Sequence, residues 1–225
     1  MGANLANDNE LRALAEQINA AVKPWQAAPL VPGANPAGAA LPVTNPADTR
    51  EVVGQWLAAD AATVQKALAN AVAAQPAWNR TPAASRAAIL EHAADQLEAR
   101  MPEFMALCVK EAGKSLPDSI AEVREAVDFL RYYAKQAREQ FSHAEKLPSP
   151  TGESNELQLH GRGVFVCISP WNFPLAIFLG QVAAALAAGN SVIAKPAEQT
   201  NLIGYYAVKL PVSYTHLTLP TKRIV

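Results

Sequence analysis

Residues 164–196 read VFVCISPWNFPLAIFLGQVAAALAAGNSVIAKP, and the order of apolar segments in this stretch decides the fold. The short runs VFVCIS (164–169) and SVIAKP (191–196) are typical of strands that are buried on both faces of a sheet. Between them, the almost wholly apolar segment 174–188 predicts a helix that ends at Gly189. Strand, helix and strand with tight loops form a βαβ unit, so we expect adjacent parallel strands with a right-handed crossover. The fold class is therefore α/β.

Polar residues follow both predicted strands, in the loops 169–172 (SPWN) and 195–198 (KPAE). Ligands of open parallel sheets bind outside the carboxyl ends of the strands, and adjacent strands would put these loops side by side. The first loop leads into a helix N-terminus, which favours negative charge, and the Asn172 amide is a donor suited to an oxyanion. Lys195 and Glu198 offer a cation and an acceptor suited to ribose hydroxyls.

A purely structural interpretation of the same residues stays open at this point. Asn172 would then cap the following helix, and Lys195 and Glu198 would be solvated loop charges. The glycine fingerprint GxGxxG is absent from the sequence, which weighs against an ordinary dinucleotide site.

Upstream, residues 59–145 predict a layer of four helices. Asp60 is a candidate N-cap for the first, and Thr81 followed by Pro82 predicts the start of the second, with a capping hydroxyl before the proline. The third runs over about 102–112 and ends at Gly113. The fourth runs over about 118–141. The expected core faces are Val64, Ala67, Leu68, Ala71 and Val72 in the first helix, Ile89, Leu90, Ala93 and Leu97 in the second, and Ile120, Val123, Val127, Leu130 and Ala134 in the fourth, whose mixed face carries Glu122, Glu125, Phe129 and Tyr132.

Turn-forming residues and changes in composition divide the rest of the chain. Residues 1–58 are expected to form an arm with one short helix and one final strand, which wraps a larger body because it lacks a core of its own. Residues 146–163 combine turn signals with alternating apolar residues and predict a hairpin arm of the oligomerisation type. The segment 164–210 is the βαβ start of a larger sheet. Residues 211–225 contain no alanine and no helical period, and we expect a non-native tail resembling a translated cloning adapter, with a native β-rich tail as the alternative.

Composition excludes several classes of protein. The 225 residues carry 19 Lys and Arg against 20 Asp and Glu, and half are hydrophobic. This near-neutral balance argues against nucleic acid as the main partner. No apolar run reaches the ~18 residues of a membrane helix, and the polar N-terminus lacks the apolar region of a signal peptide. Two cysteines, Cys108 and Cys167, exclude a disulfide scaffold and favour a reducing compartment, so we expect a cytoplasmic protein without a metal site.

The stretch GVFVCISPWNFPLAIFLGQVAAALAAGNSVIAKPAEQT (163–200) resembles the aldehyde dehydrogenase superfamily. The residues SPWNFPLAIF and AAALAAGNSVIAKPAEQT within it are similar to the L-glutamate γ-semialdehyde dehydrogenase (Δ1-pyrroline-5-carboxylate dehydrogenase) domain of bifunctional proline utilisation A. The upstream segments LANDNELRAL, WQAAP, VKEAGKS and AEVREAVDFLRYYA resemble that domain too, so the likeness covers residues 1 to about 210.

The resemblance implies NAD as cofactor, an aldehyde as substrate and a role for each matching residue. Asn172 matches the amide of the oxyanion hole, and Phe173 matches an aromatic ring that packs on the substrate. Glu125 matches an acidic residue beside the substrate's amino group, with a solvated helix carboxylate as the alternative. The residues that match the cofactor site are Ile168, Ser169, Pro170 and Trp171 on the nicotinamide side, and Lys195, Ala197 and Glu198 at the adenosine ribose, where the loop crowds the place of a 2′-phosphate and favours NAD over NADP.

The sequence departs from the family at the nucleophile and the base. The family's nucleophilic cysteine and its glutamate general base lie in later motifs, and neither motif is present. Cys108 and Cys167 lie in apolar runs, so we expect buried small hydrophobes and not nucleophiles. The resemblance thus implies part of an NAD-dependent enzyme that oxidises L-glutamate γ-semialdehyde to L-glutamate in proline catabolism. Because the chain lacks the nucleophile and the base, we expect it to be inactive. We also expect its truncated sheet to leave Val192 uncovered on one side.

The resemblance also implies a homo-oligomer for the full-length enzyme, with a proline dehydrogenase domain in the same chain. Two other interpretations stay open. The chain is part of a different aldehyde dehydrogenase, or it is a nucleotide-binding or assembly module without catalysis.

Overall fold

In the computed structural model, which describes residues 4–214, helices pack around one hydrophobic core together with three small sheets. A single turn of 3₁₀-helix, Glu198–Thr200, precedes the last helix. The elements, in chain order, are α1 (Asp8–Ala21), β1 (Trp25–Ala27), β2 (Leu41–Asn45), β3 (Asp48–Trp56), α2 (Ala61–Arg80), α3 (Ala83–Ala99), α4 (Met101–Ala112), α5 (Leu116–Phe141), β4 (Glu145–Leu147), β5 (Asn155–Leu157), β6 (Val164–Ile168), α6 (Ala176–Ala187), β7 (Ser191–Lys195) and α7 (Asn201–Tyr214).

The βαβ unit is confirmed. Strands β6 and β7 are adjacent and parallel, with Val164 opposite Ser191 and Ile168 opposite Lys195. Helix α6 connects them, and Gly189 follows it at a φ of 87°, a left-handed conformation that favours glycine. Both strands therefore end at the same edge of the sheet.

Strand β6 is not buried on both faces, and this expectation was wrong. Phe165 is 43% exposed, Val166 59% and Ile168 64%. Within the described residues β7 is the one strand that pairs with β6, and α2 and α6 contact β7 more than β6. Because Val192 of β7 is buried, the open side of the sheet falls on β6 and not around Val192.

The buried face of α2 also differs from the prediction. Val64, Leu68 and Val72 are exposed, whereas the small residues Ala67 and Ala71 are buried together with Thr63 and Trp78. Small side chains let α2 approach β7 closely, so that the hydroxyl of Ser191 donates to the Ala71 carbonyl at 2.9 Å. The prediction was therefore correct for the two alanines and wrong for the three larger residues of the face.

The helix boundaries of the helical layer are close to those predicted. The Asp60 carboxylate accepts the Thr63 N–H at 2.7 Å, which confirms the predicted cap of α2. The Thr81 hydroxyl does not cap α3, because it donates to the Ala77 carbonyl at the end of α2 instead. Helix α4 ends at Gly113 in the left-handed conformation, and α5 begins at Leu116, slightly earlier than expected. The predicted core faces of α3 and α5 are buried.

The N-terminal arm contains more structure than the sequence indicated. Besides α1, it forms a three-stranded sheet in which β3 lies between β1 and β2. The sequence predicted a connector followed by a single strand, whereas the structure has a β2–β3 hairpin there. Trp25 and Val53 of this sheet join the core of the helical layer. The expected irregular arm was therefore wrong, although its side chains do pack on a larger body.

The segment 146–163 contains the expected hairpin, in which β4 and β5 pair in antiparallel fashion. Helix α7 extends to Tyr214, so the first residues of the predicted tail 211–225 have a helical backbone, contrary to expectation. The rest of that predicted tail lies outside the described residues, and the division of the chain into domains stays a prediction. No helix within residues 4–214 is long and apolar enough to cross a membrane.

Candidate cofactor and substrate site

The SPWN loop (169–172) and the KPAE loop (195–198) lie side by side at the carboxyl ends of β6 and β7. The Ser169 N–H donates to the Lys195 carbonyl at 3.1 Å, which continues the strand pairing into the loops. The structure therefore brings together the loop residues that the sequence placed at this edge.

The SPWN loop presents polar groups without internal partners. Asn172 is exposed, and its amide makes no hydrogen bond to the described residues. Helix α6 has Leu175 as its N-cap and no side-chain cap, so Asn172 is not the helix cap of the structural alternative. The Ser169 hydroxyl is buried and has no hydrogen-bond partner among the described residues. Pro170 and Trp171 are exposed beside it.

The KPAE loop is held by its own backbone and by α7. Ala197 is nearly buried, and its carbonyl accepts the Thr200 N–H at 3.0 Å. The Lys195 ammonium donates to the Pro196 carbonyl at 3.3 Å, and the Glu198 carboxylate is exposed. Gly204 of α7 packs so closely that a Cβ there would lie 2.8 Å from the Pro196 ring.

Glu122 is the residue in this region that the sequence analysis misplaced. It was assigned to the mixed face of α5, but it is 1% exposed and faces α6. Its Oε2 accepts the N–H groups of Leu175 at 3.1 Å and of Ala176 at 2.9 Å. A signal was available, since Glu122 lies four residues before the apolar Ala126, and an i,i+4 pair shares one face of a helix.

Lys114 connects this carboxylate to Phe173, the residue that follows the SPWN loop. Its Nζ lies 3.1 Å from Glu122 Oε1, an ion pair without hydrogen-bond alignment, and 4.5 Å from the centre of the Phe173 ring. The backbone of Lys114 is fixed as well, because its N–H donates to the Cys108 carbonyl in the turn that ends α4.

Glu111 plays the same structural role at the second loop. Its Oε1 accepts the Leu202 N–H at 2.7 Å and its Oε2 accepts the Ile203 N–H at 2.8 Å, at the start of α7. Burial raises the pKa of Glu111 to about 8, although the two N–H groups act in the opposite direction. The sequence analysis missed this residue because its partners, the N–H groups of Leu202 and Ile203, lie far away in the sequence.

Comparison with known proteins identifies the family. The family model described as "Aldehyde dehydrogenase family" matches residues 34–216. This chain belongs to the aldehyde dehydrogenase family. Bifunctional protein PutA from Klebsiella aerogenes is 49% identical over 210 residues, which are 93% of this chain and 15% of that protein. A 1-pyrroline-5-carboxylate dehydrogenase from Anoxybacillus flavithermus is 42% identical over 166 residues, 74% of this chain and 32% of that protein.

A solved structure of 1-pyrroline-5-carboxylate dehydrogenase from Thermus with bound NAD is similar to this aldehyde dehydrogenase chain, with a TM-score of 0.89 and 29% identity. The match covers 100% of this chain and 44% of the Thermus chain. The expected aldehyde-dehydrogenase-like α/β fold is thereby confirmed. The chain spans only part of each of these relatives.

Glu125 stands apart from the other candidate residues of this aldehyde dehydrogenase chain. It is exposed on α5, and no hydrogen bond or ion pair joins it to another described residue. Its neighbour Phe129 packs on Gly180 of α6, where an added Cβ would lie 3.0 Å from the ring. The structure leaves the carboxylate of Glu125 accessible but does not bring it into the hydrogen-bonded part of the site.

The two cysteines are buried, as predicted. Cys108 is fully buried, and burial, with the nearby Glu122 carboxylate as a second cause, raises the pKa of its thiol well above the ordinary value. Burial raises the pKa of Cys167 to about 11. Both thiols therefore stay protonated at neutral pH, which is unfavourable for a nucleophile. Among residues 4–214 no group of His, Cys, Asp and Glu side chains is arranged to hold a metal ion.

Proposed function

We propose that this chain is part of an NAD-dependent dehydrogenase that oxidises L-glutamate γ-semialdehyde to L-glutamate in proline catabolism. The observation that carries the proposal is the junction of the SPWN and KPAE loops, where the free Asn172 amide stands beside a polar edge of a parallel sheet. The relatives named PutA and 1-pyrroline-5-carboxylate dehydrogenase support the choice of substrate.

The donor set at this edge fits NAD. Lys195 and Glu198 would hold the adenosine ribose hydroxyls, beside Ala197. The buried Ser169 hydroxyl has no partner among the described residues and is available to a ligand. Bound NAD would supply the hydride acceptor. The nicotinamide side would be bordered by Ile168, Ser169, Pro170 and Trp171.

Asn172 and Phe173 would act on the aldehyde. The Asn172 amide would donate to the carbonyl oxygen as negative charge develops on it, which is the function of an oxyanion hole. The partly exposed Phe173 ring would pack on the carbon chain of the substrate. Glu125 would approach the substrate's amino group, and its exposure leaves it available for that contact.

The thiolate nucleophile and the general base would come from outside this chain. Cys108 and Cys167 are buried and protonated, so neither is suited to attack an aldehyde. We therefore propose that the chain supplies the oxyanion donor and one part of the cofactor site, while the remaining catalytic groups belong to the part of the enzyme that this chain does not contain.

A chimaera tests the proposal. In it, the matching residues of this chain replace the 210-residue segment of the Klebsiella aerogenes protein. The chimaera should form NADH faster from glutamate γ-semialdehyde than from a longer aliphatic aldehyde. The unmodified Klebsiella protein is the reference for both rates. A folded chimaera that oxidises other aldehydes but not the semialdehyde would contradict the substrate; one that binds NAD without oxidising any aldehyde would favour a nucleotide-binding module.

The partners of the whole enzyme are also proposals. A proline dehydrogenase domain in the same chain is supported by the likeness to a bifunctional PutA. Assembly into a homo-oligomer is supported by the β4–β5 hairpin, whose Leu147 and Leu157 are exposed. We also propose a cytoplasmic location, which two unpaired cysteines favour.

A further inference from the structure

Each loop of the site is followed by a helix whose N-terminus is held by a buried glutamate side chain from the helical layer. The first N–H groups of a helix lack partners within the helix, and a local side chain usually accepts them. Helix α6 has no such cap. Glu122, which is 53 residues away in the sequence, accepts the Leu175 and Ala176 N–H groups instead, and Glu111 accepts those of Leu202 and Ile203 in α7.

Burying a glutamate side chain is costly compared with a local serine or asparagine cap. A distant glutamate, unlike a local cap, also fixes the helix N-terminus relative to another element. Glu122 fixes α6 relative to α5, three residues after Asn172 in the chain. Glu111 fixes α7 relative to α4, four residues after Glu198 of the KPAE loop.

The two glutamates differ in which side-chain oxygens accept the N–H groups. Glu122 accepts both N–H groups with Oε2 and pairs its Oε1 with the Lys114 ammonium, which also lies against the Phe173 ring. Glu111 uses one oxygen for each N–H, and it forms no ion pair with the described residues. Lys114 thus connects Glu122 to Phe173, the proposed substrate contact, and no such connection joins Glu111 to Phe173 among the described residues.

We infer that Glu122 and Glu111 position the two halves of the site separately: Glu122, with Lys114, positions Asn172 and Phe173 for the aldehyde, and Glu111 positions the KPAE loop for the cofactor. The kinetic part of this inference rests on the proposed function. Both glutamates are buried below the loops, so we treat them as positioning residues.

Kinetics of the chimaera test this division. Glu122→Gln keeps an oxygen for the α6 N–H groups but loses the ion pair, and Lys114→Met loses the ion pair and the ring contact. Both should lower kcat/KM for the aldehyde by about 10- to 100-fold, because a small displacement of a catalytic group is enough, while KM for NAD changes less than about threefold. Glu111→Gln, which keeps an acceptor for only one N–H, should raise KM for NAD by about tenfold and change kcat at saturating NAD less than about threefold.

Amide hydrogen exchange of the full 1–225 chain tests the two glutamate–helix contacts independently of activity. Glu122→Ala should speed exchange at Leu175 and Ala176 by roughly tenfold, as expected for one lost hydrogen bond, and leave Leu202 and Ile203 unchanged. Glu111→Ala should have the reverse effect. Equal acceleration at both helix starts, or an equal loss of both kinetic constants in both variants, would overturn the inference. An inactive parent chimaera together with the expected exchange pattern would refute the proposed function but still support the two glutamate–helix contacts.

Discussion

The backbone N–H of Ser169 donates to the carbonyl of Lys195 across 3.1 Å, one residue beyond the last paired position of β6. This bond brings the turn before Asn172 against the loop that carries Glu198. Two segments separated by a whole helix in the sequence thereby form one edge, and the geometry of that edge follows from the parallel register of β6 and β7.

The tight packing of α2 gives a first prediction. Ala71 is buried against β7, whereas its neighbour Val72 is 57% exposed. Ala71→Val should lower the free energy of unfolding by about 1–3 kcal/mol through overpacking, and Val72→Ala, the reverse change one residue away, should alter it by less than about 0.5 kcal/mol. Urea unfolding of both variants measures the difference. Equal effects would show that the apolar face predicted from the sequence is the buried one.

The comparison of Ala71 with Val72 illustrates what the sequence predicts well and what it does not. The βαβ unit, the Asp60 cap of α2 and the core face of α5 follow from local signals, namely periodicity and turn residues. In the sheet made by β1, β2 and β3, β1 pairs with a segment of β3 that is distant in the sequence, and β2 lies in a proline-rich stretch that gives little local strand signal. Which side of an alanine-rich helix is buried depends on how closely its neighbour approaches, and side-chain hydrophobicity does not report that distance.

The site divides in the same way. The sequence correctly placed its candidate residues at adjacent strand ends, the edge where ligands of parallel sheets bind. It did not identify Glu111, Glu122 or Lys114 as parts of the site, because their partners are backbone groups and a ring that lie far away in the sequence. A charged residue on an otherwise apolar helix face was the one local sign.

Glu111 predicts a pH dependence of stability. Its pKa in the folded chain is raised to about 8 from an ordinary value of 4.5, so between these values the folded state holds a proton that the unfolded state has released. The resulting stabilisation is complete below about pH 4.5 and is lost as the pH rises through about 8, with a slope of up to roughly 1.4 kcal/mol per pH unit. Glu111→Gln should flatten the profile of unfolding free energy across this window.

The control for that profile is Glu156→Gln, which changes an exposed carboxylate on β5. It should leave the slope between these pH values as it is in the unmodified chain. An unchanged slope in Glu111→Gln would show that Glu111 is ionised in the folded state throughout this range.

The KPAE loop predicts a change in cofactor affinity. In the chimaera, Lys195→Ala and Glu198→Gln should each weaken NAD binding by roughly 10- to 150-fold, which corresponds to the ~1.5–3 kcal/mol of a hydrogen bond to a charged group. Isothermal titration with NAD measures the affinity, and Lys209→Ala on α7 is a matched surface control. Unchanged NAD affinity in both loop variants would show that Lys195 and Glu198 are solvated loop charges that do not bind the cofactor.

Asn172 predicts a change in turnover without a change in cofactor affinity. Asn172→Ala in the chimaera should lower kcat by about 10²–10³-fold, because the lost donor acts on charge that develops in the transition state. KM for NAD should stay close to that of the parent. Steady-state kinetics at saturating NAD measures the effect, and a loss confined to NAD affinity would show that the Asn172 amide binds the cofactor and not the oxyanion.

The buried thiols predict that the 1–225 chain forms no NADH from the semialdehyde. Burial raises the pKa of Cys167 to about 11, so its thiol is protonated at neutral pH, and Cys108 lies fully inside the core. A disulfide reagent should therefore modify neither thiol in the folded chain and both in guanidinium. The activity assay includes Cys167→Ser and Cys108→Ser, since turnover that either substitution abolishes would identify that cysteine as the nucleophile. Such a result would require the helical layer or β6 to open during catalysis, because an attacking sulfur must reach the aldehyde carbon directly.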